Sequence, residues 1–281
     1  GRPVEVIFED DRGDPATGVA AFEKLINRDR VDIILGGLSS TVTYAIAAPA
    51  KRYRPLMAWT GAAARAVEQA FEGADWFFHY HPWEYHNLAA TTEFMVSTGA
   101  KRVAIFYEDG LFGQSGKDLA TQQFTEKGLQ VVLSESFKTG AGEFTPLLIR
   151  ARAANPDILY WIGYDADAVP LMTQMRELNW TPKLVYGTPP TWPVGFAQQP
   201  VAQYVAGLTF WTPDIPDPVS RQFVEKYVAR FGQRPNSYWA PLAYTNLVTV
   251  VDAIRRAGTT DKRAVAAELA KTDYRSPLGR R

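Results

Sequence analysis

Segments patterned as buried strands and segments patterned as amphipathic helices succeed one another almost without a break along this chain, and that alternation admits few folds. A strand, a helix and a further strand in one sheet connect by right-handed crossovers, so repeated units of this kind build parallel sheets with helices on their faces. Strands are expected at residues 4–8, 32–35, 56–59, 102–107, 130–134, 158–162, 183–186 and 208–211. Several are solid apolar runs, as strands covered on both faces should be. Between the first two, Asp14 and Pro15 form an N-cap and first-turn pair, and Val19, Phe22 and Ile26 follow at helical spacing. Further helices are expected at 83–97, 116–127, 144–153, 167–178, 219–231, 239–257 and 262–271.

The alternation fails near residues 79–83 and 211–218, where Pro82, Pro213, Pro216 and Pro218 interrupt it. Both breaks are expected to be interlobe crossover strands. Past the second, the pattern is helical, so returning helices should cover a sheet built earlier in the chain. The expected fold class is therefore α/β, with two doubly wound parallel-sheet lobes. Residues 1–81 with 214–272 would form one lobe, and 82–213 with 273–281 the other, both discontinuous.

The 281 residues suffice for two medium domains, and composition narrows their partners. Thirty basic residues balance thirty acidic ones without long like-charge blocks, which gives no electrostatic footprint for nucleic acid or an anionic membrane. Cysteine is absent, removing disulfides, thiolate metal sites and cysteine nucleophiles, and this fits an exported protein. No apolar run reaches the roughly eighteen residues of a membrane-spanning helix. The chain opens on a strand pattern with no initiator methionine or export signal and ends after a turn, so elements beyond both ends are expected.

Enzyme signatures are missing. There is no Gly-x-Ser-x-Gly elbow and no His-Glu-x-x-His pair. His79, His81 and His86 crowd into one stretch and could on paper ligate a metal, but a crossover segment using polar aromatics is the stronger reading. The pairs Asp10-Asp11 and Glu108-Asp109 sit at strand ends, where solvated turns outweigh acid-base chemistry. Neither metal nor cofactor is expected.

The most informative stretch follows the second strand, where Gly36-Gly37 leads through Leu38 to Ser39-Ser40-Thr41. Glycines let backbone approach a ligand, while free N–H groups and hydroxyls at a helix start attract a carboxylate. The competing reading is that Ser39 or Ser40 simply caps a helix. No lysine or third glycine follows, so a nucleotide is not indicated. A second loop, Trp59-Thr60-Gly61-Ala62-Ala63-Ala64, should lie beside the first at the carboxyl edge of the sheet, where open α/β folds bind ligands. Trp59 would offer a stacking face and Thr60 a hydroxyl. Similar strand ends occur at Glu108 to Gly113, at Gly163-Tyr164-Asp165, and at Gly187-Thr188-Pro189-Pro190-Thr191-Trp192. Five glycine-marked strand ends suggest two sheets facing one cleft.

Together these features resemble the Leu/Ile/Val-binding protein family of ABC transporters. The likeness rests on Gly1 to Val6, Asp10-Asp11, Asp14-Pro15, the loop from Gly36 to Ser40, Pro55, Gly113, Phe144, Asn155-Pro156-Asp157, the series Phe223, Tyr227, Phe231-Gly232 and Pro235, and Ala253-Ile254 with Ala257-Gly258. It covers essentially the whole chain. It implies a type I fold whose first strand and helix precede Gly1, a periplasmic location with or without a lipid anchor, a monomeric receptor and a membrane permease as partner. It further implies that Ser39 and Ser40 hold a ligand carboxylate and that Ala62 and Ala63 add contacts. Ala63 stands where amino-acid binders place a hydroxyl, and the acid that pairs with an α-ammonium is replaced near Pro189, with Asp165 as a substitute. Phe112 stands where a tyrosine is common. Trp59, Phe112, Tyr164, Thr188 and Trp192 complete the expected site, which suits an aromatic or other apolar carboxylate or a branched-chain amino acid. The alternatives are an amide or amino-acid sensor of the same fold and, less favoured, an enzyme using the carboxylates.

Overall fold

The computed structural model describes residues 3–189, 191–192 and 195–280. Gly1 and Arg2 of the first motif and Pro190 of the last loop lie outside the described residues. Two compact units emerge, Gly1–His81 with Pro241–Arg281, and Pro82–Ala240.

The first unit begins with helix α1 (Pro15–Asn27), capped by the Asp14 carboxylate, which accepts from the Thr17 amide. Strand β1 (Ile33–Gly36), α2 (Ser40–Tyr53), β2 (Leu56–Trp59), α3 (Arg65–Ala70) and β3 (Phe77–His79) follow. The strands form a parallel sheet in the order β1-β2-β3, with Ile33 beside Leu56 and Met57 beside Phe77.

The second unit comprises α4 (Glu84–Ser97), β4 (Arg102–Glu108), α5 (Leu111–Glu126), β5 (Gln130–Phe137), α6 (Thr145–Ala154), β6 (Ile158–Ile162), α7 (Ala168–Glu177), β7 (Leu184–Gly187), β8 (Val205–Gly207) and α8 (Pro218–Phe231). Its five parallel strands run β5-β4-β6-β7-β8. Successive residues of a strand face opposite sides of the sheet. Val103 and Ile105 accordingly pack with Leu88, Ala120 and Phe124 of α4 and α5, whereas Ala104 and Phe106 pack with Leu148 and Leu171 of α6 and α7. Burial on both faces explains why these strands are apolar throughout.

The chain then returns to the first unit along α9 (Trp239–Ala257) and α10 (Lys262–Leu269), and ends in the antiparallel pair β9 (Arg275–Ser276) and β10 (Gly279–Arg280). Val250, Ala253, Val265 and Leu269 cover Leu56 and Ala58 of β2. Two polar contacts fix α9 on the sheet. The Asn246 side-chain amide donates to the Ala58 carbonyl at 2.9 Å, and the Tyr80 and Thr249 hydroxyls share a 2.7 Å hydrogen bond.

Several expectations need correction. Residues 4–8 form no strand among the described residues, and Val4, Val6, Ile7 and Phe8 are exposed, Phe8 to 86%. Apolar character makes a strand only where a neighbouring backbone accepts and donates the ladder bonds. The strand expected at 208–211 lies earlier, at β8, because Trp211 instead turns its indole N–H to the Ser220 hydroxyl at 2.7 Å and packs edge-on against Phe223. Those contacts also bind α8 to the second unit, so the first unit resumes at Pro241 and not at 214. Residues 273–280, which include the β9–β10 pair, fall in the first unit, against the expected placement of 273–281 in the other. Neither Pro82 nor Thr212-Pro213 is in a strand. The short β3 replaces the irregular start of the crossover expected at 79–83.

Candidate functional site

In the first unit the loops after β1 and β2 are laced together. The Thr60 amide and hydroxyl both donate to the Gly36 carbonyl, at 2.7 and 3.2 Å. The Ala62 amide donates to Leu38 O at 2.9 Å, and the Ala64 amide to the Ser40 hydroxyl at 3.2 Å. These bonds continue the parallel register past the strand ends, which brings the two loops side by side at the carboxyl edge.

Glycine is obligatory at two points. Gly37 has φ +82, and a Cβ there would meet the Trp59 indole at 2.3 Å. A Cβ on Gly61 would lie 2.6 Å from the Gly37 carbonyl oxygen, a backbone atom with no room to move. Ala62 holds φ +66, a conformation costing an L-residue roughly 1–2 kcal/mol, which the two flanking hydrogen bonds enforce.

The two serines divide the labour. Ser39 is the N-cap of α2, its hydroxyl accepting from the Val42 amide at 3.3 Å, and it is half-buried at the loop surface. Ser40 is 1% exposed, and its oxygen is committed to the second loop. Ser40→Ala should therefore lower stability by about 1–2 kcal/mol, the cost of leaving the buried Ala64 amide without an acceptor. Urea denaturation measures this, and a change below about 0.3 kcal/mol would contradict the assignment.

Trp59 does not present a stacking face. It is 4% exposed and lies under Gly36 and Gly37, with its indole N–H donating to the Thr43 hydroxyl at 2.9 Å. Its position is that of a floor for the glycine loop. Ala62 and Ala63 are buried as well, and Thr60 is half-buried. His79, at the end of β3, uses its Nε2–H to bond the Gly61 carbonyl at 2.6 Å. Burial pushes its pKa down to about 4, so the ring is neutral near pH 7 and serves as a fixed donor. Among the described residues no group of three or more His, Cys, Asp or Glu side chains is placed to hold a metal ion.

The second unit presents its own carboxyl-edge loops. Glu108 closes β4 and accepts from the Gly110 and Gly113 amides at 2.6 and 2.7 Å, tying the loop to the start of α5. Burial raises its pKa. Phe112 is buried in the first turn of α5, with its ring 5.6 Å from that of half-buried Tyr164. Tyr238, which sequence reasoning missed, is buried and packs edge-on against Phe210 with ring centroids 4.9 Å apart. The Tyr238-Trp239 aromatic pair at the start of α9 was the available signal.

Asp165 opens a short 3-10 turn and is exposed, whereas Asp167 is buried and accepts from the Gly140 amide. The Thr188 amide donates to Trp161 O at 3.0 Å, and its hydroxyl shares a 3.1 Å hydrogen bond with Thr191. Trp192 is fastened, its indole N–H donating to Ala206 O at 2.8 Å while its ring packs on Trp161 and Phe196. Like Trp59 it supports a loop. Phe112 and Tyr164 pair at the carboxyl edge, with Trp192 set apart among Trp161 and Phe196.

A family model for periplasmic binding proteins matches residues 1–281. An amino acid binding protein of Pseudomonas aeruginosa is 23% identical over 290 residues, spanning 100% of this chain and 75% of that protein. Leu/Ile/Val-binding protein homolog 7 of Brucella abortus is 24% identical over 188 residues, 61% of this chain and 45% of that one. Among solved structures, a solute binding protein of an ABC transporter from R. palustris, in complex with benzoate, superposes with a TM-score of 0.89 at 19% identity, covering 100% of this chain and 78% of that one. A leucine binding protein from Thermotoga maritima gives 0.87 at 24%, covering 100% and 80%.

The chain belongs to the periplasmic binding protein family. Its fold is that of type I periplasmic binding proteins, and membership of the family makes the molecule an extracytoplasmic solute-binding receptor.

Proposed function

We propose that this receptor delivers a small aromatic carboxylate to an ABC permease, acting as a monomer in the periplasm, free or lipid-tethered. The observation that carries the reading is the laced loop pair of the first unit. Its glycines let the two loops lie close together at the N-terminus of α2, where the helix dipole and the half-buried Ser39 hydroxyl favour an anion. The carboxyl-edge loops of the second unit carry half-buried Tyr164 beside Phe112, an aromatic surface suited to a flat apolar body. Ala63 offers no hydroxyl to an ammonium group, and an unpaired buried cation is costly. The benzoate-bound relative supports the same choice.

Calorimetry with benzoate and leucine tests this. Benzoate is expected to bind at least about tenfold more tightly than leucine, and Tyr164→Ala to weaken benzoate about tenfold, the loss of one good aromatic contact. Tight leucine binding that disappears in Asp165→Ala would overturn the choice of ligand, because Asp165 would then be serving as the ammonium partner.

A further inference from the structure

A cavity of about 670 Å³ opens on the first unit at the amino edge of its sheet, the opposite end of the strands from Thr60 and His79. Phe77 and Phe78, which begin β3, line it together with Ala266 of α10 and Ala270 just past its end. Small side chains on and just after the helix leave the space open beside Phe78. Its rim carries Arg54, Lys262 and Arg263 against a single acid, Asp75. Arg54 pairs with Asp75 at 3.6 Å, whereas Lys262 and Arg263 form no ion pair among the described residues.

We propose that this cavity is a second ligand site, for a small organic anion with a flat apolar body. Two cations without counter-charges select an anion over a cation. Half-buried Phe78, which lies on the α10 side of the sheet with Ala266 while Phe77 stacks on Phe71 on the other, supplies a face for an aromatic ring, and the volume is that of an ordinary small-molecule pocket. Open α/β sheets bind their main ligand at the carboxyl edge, so a site at the amino edge is separate and can be filled at the same time.

Benzoate is a suitable probe, titrated into the isotopically labelled chain while backbone amide resonances are followed. Benzoate at about 1 mM, the affinity range of a small exposed site, should shift the amides of Phe78 and Ala266. Benzylammonium, of the same size but opposite charge, should leave them in place. Lys262→Glu combined with Arg263→Glu should weaken this effect at least about tenfold. Both residues are exposed, so the fold should survive. Ala270→Trp, which fills the space and keeps every charge, should abolish it. Shifts confined to the loops at the carboxyl edge, an equal response to benzylammonium, or full binding by Ala270→Trp would each overturn the proposal. It does not depend on the ligand assigned above, because the resonances that move distinguish the two sites.

Discussion

Replacing Gly37 with alanine is expected to destabilise the first unit by about 3 kcal/mol or more and to abolish carboxylate binding. Two costs add. The residue sits at φ +82, where a Cβ costs roughly 1–2 kcal/mol. The new methyl would also lie 2.3 Å from the Trp59 indole nitrogen. That ring cannot step aside, since it is buried and its N–H is bonded to Thr43 at 2.9 Å. Overpacking of such a site costs typically another 1–3 kcal/mol. Gly13→Ala is the informative control, because Gly13 has φ +67 but nothing within 4 Å of its missing Cβ, so only the backbone cost applies. Urea denaturation followed by circular dichroism compares the two. If Gly37→Ala were no worse than Gly13→Ala, the close packing of Trp59 under the loop would be refuted.

The contrast between those two glycines shows where the sequence speaks and where it is silent. Strands β2 and β6 were legible to the residue, because burial on both faces forces an uninterrupted apolar run of strand length. The helix α9 was legible to the residue from its periodicity. Residues 4–8 carry the same apolar signal, yet the signal reports what a strand needs from its side chains and not whether a neighbouring backbone is present. The glycine loops could be found because only glycine tolerates their φ angles and close approaches. Aromatic direction could not. Trp59 and Trp192 face inward because Thr43 and the Ala206 carbonyl stand ready for their indole N–H groups, and both partners come from other turns of the chain. Ser39 and Ser40 are adjacent and chemically alike, and only the approach of Ala64 decides which one is turned inward. Tyr238 meets Phe210 across the whole of α8, a contact that no local pattern encodes.

The other large effect is a pH dependence centred on Glu84. Its carboxylate is 7% exposed in the first turn of α4, and neither oxygen has a well-formed hydrogen bond. Gly116 of α5 lies against it, a Cβ there being 3.2 Å from Oε1. Burial is the main cause that raises its pKa to about 8, with nearby Glu108 adding repulsion and Ser115 partly opposing both. Tyr160, from β6, also faces it and stays neutral, its own pKa pushed further up by burial and by Glu84. A carboxyl whose folded pKa exceeds its unfolded value near 4.5 binds its proton more tightly in the folded state. Its stabilisation is complete below the unfolded value and declines by about 1.4 kcal/mol per pH unit until pH passes the folded one. His79 acts with the opposite sign, because its pKa falls from 6.5 to about 4 and stability is lost as pH drops through that interval. The two slopes cancel between about pH 4.5 and 6.5, which leaves the Glu84 decline visible from about 6.5 to 8, a loss of about 2 kcal/mol. Glu84→Gln keeps the shape and removes the titration, so its stability should be flat across that window and should exceed that of the parent at pH 8. His79→Gln should extend the parent's decline down to about pH 4.5, whatever it costs through the lost Gly61 contact. Urea denaturation at half-unit pH steps distinguishes these curves, and a decline from 6.5 to 8 that persists in Glu84→Gln would place its origin elsewhere.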